Sequence, residues 1–278
     1  MEIKTSGQII NFLNMLNIEH FCYDGENGLT EFKSFSTLKD CSNDSLIFLH
    51  SLGKNFDDRI QLIKNKNPAI IITTEAILKM LDSLSCIITV DNPRYVFSLL
   101  AKNNLPHVQE EVGINSKAYI YEQFCKIASD VSIGPFAVIG DIGISKNNFK
   151  DGIENTAHIG NCIIKKGTRI GAHTHIARAV LGNTVIDENC ILAHNVSVGH
   201  GCKIGKRVCI CPGVVISGSC TVGNDTWIAP NVTINEGINI GSNCFIGSGS
   251  VVTKDIPDNR LAYGVPAKLE MEYVDFPW

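Results

Sequence analysis

Aliphatic residues recur at every sixth position over a long stretch of this chain: Val180, Ile186, Leu192, Val198, Ile204, Ile210, Ile216, Val222, Ile228, Ile234, Ile240, Ile246 and Val252. A small residue often follows directly (Ala193, Gly199, Gly205, Ala229), and another short side chain comes four places after the aliphatic (Cys190, Cys202, Cys220, Cys244). This period fits neither a helix, at about 3.6, nor an alternating strand, at about 2. It predicts a parallel β-helix built from hexapeptide repeats. Three hexads close one triangular coil, so residues eighteen apart stack one above the other.

Weaker patterns organise the rest. Hexads begin at Ile127, Ile133 and Ile139, fail across 141–160, and resume at Ile164, Ile170 and Ile176, with a short insertion (ARAVLGNT) before full regularity. Insertions in such folds project as loops from one edge, often the binding one. Towards the N-terminus, residues 6–17 have helical spacing with Ser6 as N-cap. Strand-like runs at 45–50, 69–74 and 86–90 alternate with helix-like runs at 57–65, 75–83 and 93–103, which predicts a small α/β domain with a mostly parallel sheet. The expected organisation is an α/β domain over 1–106, a linker over 107–126, the β-helix over 127–257 and a closing segment over 258–278.

Composition narrows the class. A formal charge of −4 over 278 residues gives no reason to expect a nucleic-acid partner. There is no bilayer-length apolar stretch and no signal-peptide pattern, so the expected location is the cytoplasm, without stable membrane insertion. Eleven cysteines suggest disulfides or metal at first sight. Yet Cys190, Cys202, Cys220 and Cys244 occupy the small slot of the hexad, where a free cysteine acts as a small hydrophobe. No metal is expected.

Five histidines fall in the repeat region: His158, His173, His175, His194 and His200. His200 lies two residues past Val198, near a turn, and Gly218 lies eighteen residues on. A histidine beneath a glycine backbone N–H suits acyl transfer. The imidazole takes the proton of an attacking amine or hydroxyl while the N–H holds the oxyanion. His194 precedes His200 by one hexad, on a different side of the triangle.

The hexads together with GSGSVVTKDIPDNRLAYGVPAK (247–268) resemble the left-handed β-helix acyltransferases. FSTLKDCSNDSLIFLHS (35–51), VDNPRYVFSLLAKNNLP (90–106), HIGNCIIKKGTRIGAHTHIARAVLGNTVI (158–186) and VGHGCKIG (198–205) are similar to the UDP-3-O-acylglucosamine N-acyltransferase family of lipid A synthesis. That resemblance implies a nucleotide-binding N-terminal domain, a homotrimer with active sites between subunits, His200 as general base and Gly218 at the oxyanion. It places the base-stacking aromatic on Phe48, whereas Ser51 and Lys54 replace the amide and tyrosine that follow it in the family. Hexads are missing before His158, and only EMEYVDFPW follows Leu269 where the family has a helical extension for its acyl carrier protein.

The expectation is therefore a transferase moving acetyl or another short acyl group from acyl-coenzyme A to a nucleotide-linked amino sugar. His173, His175, Arg178, His194 and Asn195 are the candidate sugar contacts. Ala229, Lys254, Arg260 and Lys268 are the candidates for the coenzyme. Alternatives are the lipid A enzyme itself with a carrier-protein donor, a γ-carbonic anhydrase-type zinc lyase using three histidines, and a trimeric scaffold without activity.

Overall fold

The computed structural model describes residues 2–24, 30–50, 56–81, 86–105, 112–149 and 152–272. The chain divides into two compact units, Met1–Glu110 and Glu111–Trp278.

In the first unit five strands, β1 (His20–Asp24), β2 (Ser34–Phe35), β3 (Ser45–Leu49), β4 (Ile70–Thr73) and β5 (Cys86–Val90), form a sheet in the order β1-β5-β4-β3-β2. Only β1 runs antiparallel to its neighbour. Continuous apolar runs such as Ile70–Ile72 have no exposed face because helices cover both sides. Leu46, Ile70, Ile72 and Ile88 pack with Ile9 and Leu13 of α1 (Ser6–Met15) and with residues of a helix over Pro93–Asn104. Ile47, Ile71 and Ile87 pack on the other side with Ile60 and Ile63 of α2 (Phe56–Lys66) and with Ile77 of α3 (Glu75–Leu78).

The sequence misplaced some ends here. The N-cap of α1 is Thr5, not Ser6: Thr5 is extended and exchanges hydrogen bonds with Gln8 in a capping box. The helix expected over 75–83 is a single turn whose N-cap residue Thr74 makes no side-chain hydrogen bond.

The second unit is a parallel β-helix of three sheets. Its first face includes Arg169–Ile170, Ile191–Leu192, Cys209–Ile210 and Trp227–Ile228. The second runs through Val138–Asp141, His175–Ala177, Ser197–Val198, Val215–Ile216, Thr233–Ile234 and Val251–Val252. The third includes Asn161–Ile164, Asn183–Ile186, Lys203–Ile204 and Thr221–Val222. The hexad aliphatics from Ile186 to Val252 are buried in one continuous core. The four slot cysteines are buried and free, and their thiols donate to carbonyls of the next coil, as Cys202 does to Ser217 O at 3.0 Å.

Four readings differ from expectation. The linker read over 107–126 is β-helix wherever it is described: Gly113–Ile114 pairs with Ser132–Ile133, and Tyr119–Ile120 with Val138–Ile139. The 3₁₀ turn Glu122–Phe124 makes the spacing from Ile120 to Ile127 seven rather than six, which hides the repeat. At the other end Arg260–Tyr263 adds a parallel strand beside Phe245–Ile246, so the fold continues past residue 257. Val180 belongs to no strand and lies half-buried in the insertion, accepting from Ile159 N. The loop read over 141–160 contains an antiparallel hairpin, Lys146–Phe149 with Gly152–Asn155.

Candidate active site

The corner between the second and third faces carries both insertions and, above them, His200 and Gly218. Each regular turn here is fixed by backbone bonds to the next coil. Gly199 N donates to Ile216 O (2.8 Å), and Ser219 N to His200 O (2.7 Å). Gly201, at φ +70°, donates its N–H to the buried hydroxyl of Thr184 at 2.8 Å. These anchors leave the His200 ring standing over Gly218. A Cβ at residue 218 would come 2.5 Å from its Nε2 and 2.6 Å from its Cε1. Among the described residues nothing accepts from the Gly218 N–H, and nothing hydrogen-bonds the His200 ring. The pair therefore offers a ring nitrogen and an unpaired backbone donor at one spot, the two elements that acyl transfer needs.

A second histidine closes this corner from below. His158 is 4% exposed, and its Nδ1 lies 2.7 Å from Thr156 O. Its ring meets that of His200 edge to face, with centroids 5.4 Å apart at 76°. Gly143 sits against both rings, where a Cβ would lie 3.0 Å from His200 Cδ2 and 3.2 Å from His158 Nε2. Arg178 holds this arrangement from the next coil. Its Nε donates to His158 O and its Nη1 to Gly140 O, both at 2.8 Å, and its guanidinium stacks 4.0 Å over the Phe124 ring.

The other expected site residues divide by position. Arg178, expected to touch the sugar, is instead spent inside the protein: it is 8% exposed with its donors on backbone carbonyls. His175 lies on the second face with Nε2 3.8 Å from Asp141 Oδ2. The Tyr121 hydroxyl donates to the same carboxylate, which pushes the phenol pKa up. His173 lies at a different corner, stacked on Phe136 at 5.1 Å. His194 and Asn195 share that corner one coil on, where Asn195 N donates to Ala172 O (3.0 Å). The residue eighteen past His194 is Pro212, which has no N–H to offer an oxyanion. Sequence reasoning missed His158 as a partner of His200; its only signal was a histidine at the point where the hexads resume.

Ala229 is buried with its N–H paired to Ile246 O, so its side chain meets protein rather than solvent. Lys254 is exposed and lies three coils above His200 in the same corner column, because Val198, Ile216, Ile234 and Val252 are in register. Arg260 and Lys268 lie on the antiparallel closing strands, half-buried and exposed respectively. In the first unit Phe48 is half-buried against Phe97, with ring centroids 4.7 Å apart. Ser51 and Lys54 lie outside the described residues. Among the described residues no group of three or more His, Cys, Asp or Glu could hold a metal ion, and no helix is long and apolar enough to cross a membrane.

Comparison with known proteins agrees with this architecture. The family of bacterial transferase hexapeptide (six repeats) matches residues 183–218 and 219–254. The chain is a hexapeptide-repeat β-helix protein. It is 41% identical over 92 residues to UDP-3-O-acylglucosamine N-acyltransferase 2 of Legionella pneumophila (strain Paris), covering 33% of this chain and 27% of that one. It is also 41% identical over 145 residues to UDP-3-O-acylglucosamine N-acyltransferase of Caulobacter vibrioides (strain NA1000 / CB15N), covering 52% of this chain and 43% of the relative. The matches thus span less than half the length of these curated relatives. The crystal structure of a UDP-N-acetylglucosamine acyltransferase from Bacteroides fragilis superimposes with a TM-score of 0.50 at 23% identity, over 57% of this chain and 60% of that one, a likeness of fold.

Proposed function

We propose that this hexapeptide-repeat β-helix protein is an acyltransferase that moves an acyl group from a coenzyme A thioester to the amine of a nucleotide-linked amino sugar. The observation that carries the reading is the His200 ring seated where a side chain on Gly218 would stand, with the Gly218 N–H unpaired among the described residues. The names of the two curated relatives, both UDP-3-O-acylglucosamine N-acyltransferases, support the acceptor class.

The chemistry follows from the pair. The neutral amine attacks the thioester carbonyl and His200 accepts the proton that the new C–N bond makes acidic. Negative charge collects on the carbonyl oxygen, where the Gly218 N–H donates to it. Collapse breaks the C–S bond, and the proton returns from His200 to the departing sulfur, giving an amide and a free thiol. Lys254 supports a donor lying along the corner column: three coils at about 4.8 Å each put its ammonium level about 14 Å from His200, towards the donor's phosphates. The first unit is assigned the nucleotide, with Phe48 offered to the base, and the working assembly is a homotrimer.

The test is release of free thiol from acetyl-coenzyme A with a panel of UDP- and dTDP-linked amino sugars. Turnover with one sugar that falls about a hundredfold or more in His200→Ala is the expected result. Turnover only with acyl carrier protein thioesters would move the donor to the carrier protein. Full turnover in His200→Ala would remove His200 as base.

A further inference from the structure

The corner holds a buried imidazole that this mechanism does not use. His158 Nδ1 lies 2.7 Å from a carbonyl oxygen, which can only accept, so Nδ1 carries the hydrogen. In the neutral ring Nε2 is then the lone-pair nitrogen, and it is buried with no hydrogen-bond partner among the described residues. Leaving a buried polar atom unpaired is costly, and native structures keep such atoms rare. The protein nevertheless holds this ring in place on two sides, through Thr156 O on Nδ1 and Arg178 on the His158 carbonyl. The unpaired nitrogen lies on the side facing Gly143, whose missing side chain lets it and the His200 ring approach each other.

We infer that His158 is a positioning residue for His200, a conclusion that rests on reading His200 as the base. Its edge-to-face contact keeps the His200 ring over Gly218. Its Nε2 lone pair, fixed in a site closed to water, favours the positive charge that His200 acquires when it takes the acceptor's proton. A dipole already oriented toward that charge costs nothing to reorganise during the reaction. His200 is followed by Gly201, so no acidic side chain stands next to it in sequence to serve the same end.

The experiment uses the intact chain with isotope-labelled histidine and no substrate. In the wild type the His158 ring shows the Nδ1–H tautomer. His158→Phe keeps a flat buried ring and removes the lone pair; the His200 titration midpoint drops by about half a pH unit or more. His158→Gln returns an acceptor and brings the midpoint back toward the wild-type value. Arg178, Asp141, His175, Glu236 and the Cys202 and Cys220 thiols also surround this corner and stay unchanged in every variant. In turnover, kcat falls about tenfold in His158→Phe with both KM values within about twofold, and recovers in His158→Gln. A His158 ring protonated at Nε2 alone overturns the proposal even if His158→Phe does not fold, as does an unmoved His200 midpoint in folded His158→Phe. Activity lost in His200→Ala but untouched in His158→Phe overturns this proposal alone. Full activity in His200→Ala overturns the base assignment with it.

Discussion

The imidazole of His200 occupies the space that a side chain at Gly218 would need, one coil further along the same corner. The glycine therefore serves two ends: it admits the ring and bares its own N–H beside it. Gly218→Ala places a methyl group 2.5 Å from Nε2 and must turn the ring away. The expected result is a loss of about a hundredfold in kcat, measured by thiol release, with the hexapeptide fold retained by circular dichroism.

His194 and His200 stand at different corners, and of the two only His200 has an unpaired backbone N–H over it among the described residues, because Pro212 occupies the equivalent place over His194 and the Gly213 N–H is spent on His194 O. Replacing His194 by alanine is accordingly expected to cost less than about tenfold in kcat, against about a hundredfold or more for His200. Equal losses in the two variants would count against the assignment.

Arg178 spends its guanidinium on Gly140 O and His158 O within a buried corner. Arg178→Met would strand both carbonyls, at a cost on the order of 2 kcal/mol or more. Arg178→Lys would recover little, since an ammonium cannot reproduce the fork. Urea unfolding measures the cost, and faster amide exchange across 142–160 is expected in both variants.

Alkaline pH should weaken the fold through the slot cysteine Cys190. Burial pushes the Cys190 thiol up to about 11 from an ordinary value near 9. Below pH 9 both folded and unfolded chains keep this proton, and its contribution to stability is whole. From pH 9 to 11 the unfolded chain ionises first, so stability falls with rising pH, by a few kcal/mol at most. The urea midpoint of the wild type should drop across that window, and drop less steeply in Cys190→Ala.

How much of this was legible beforehand depended on register. Where hexads run unbroken, the eighteen-residue rule placed His200 under Gly218 correctly. Below Ile186 the insertions change the spacing: Ile163 pairs with Val185, twenty-two residues on, and Ile139 with Ile176, thirty-seven on. Counting by eighteen then fails, which is why Arg178 read as a sugar contact and His158 found no partner. Ile114 and Ile120 did carry the six-residue beat, masked by one added residue before Ile127. The paired Gly140 and His158 carbonyls had no sequence signal at all, because they belong to the backbone.

One arginine on a later coil ties the two stems of the 141–160 excursion together. What lies between those stems is then relieved of holding the coil, and closing a longer or shorter loop changes the entropy only logarithmically. The hairpin is in effect an exchangeable cassette, open to replacement in evolution or by design while the scaffold beneath keeps its geometry.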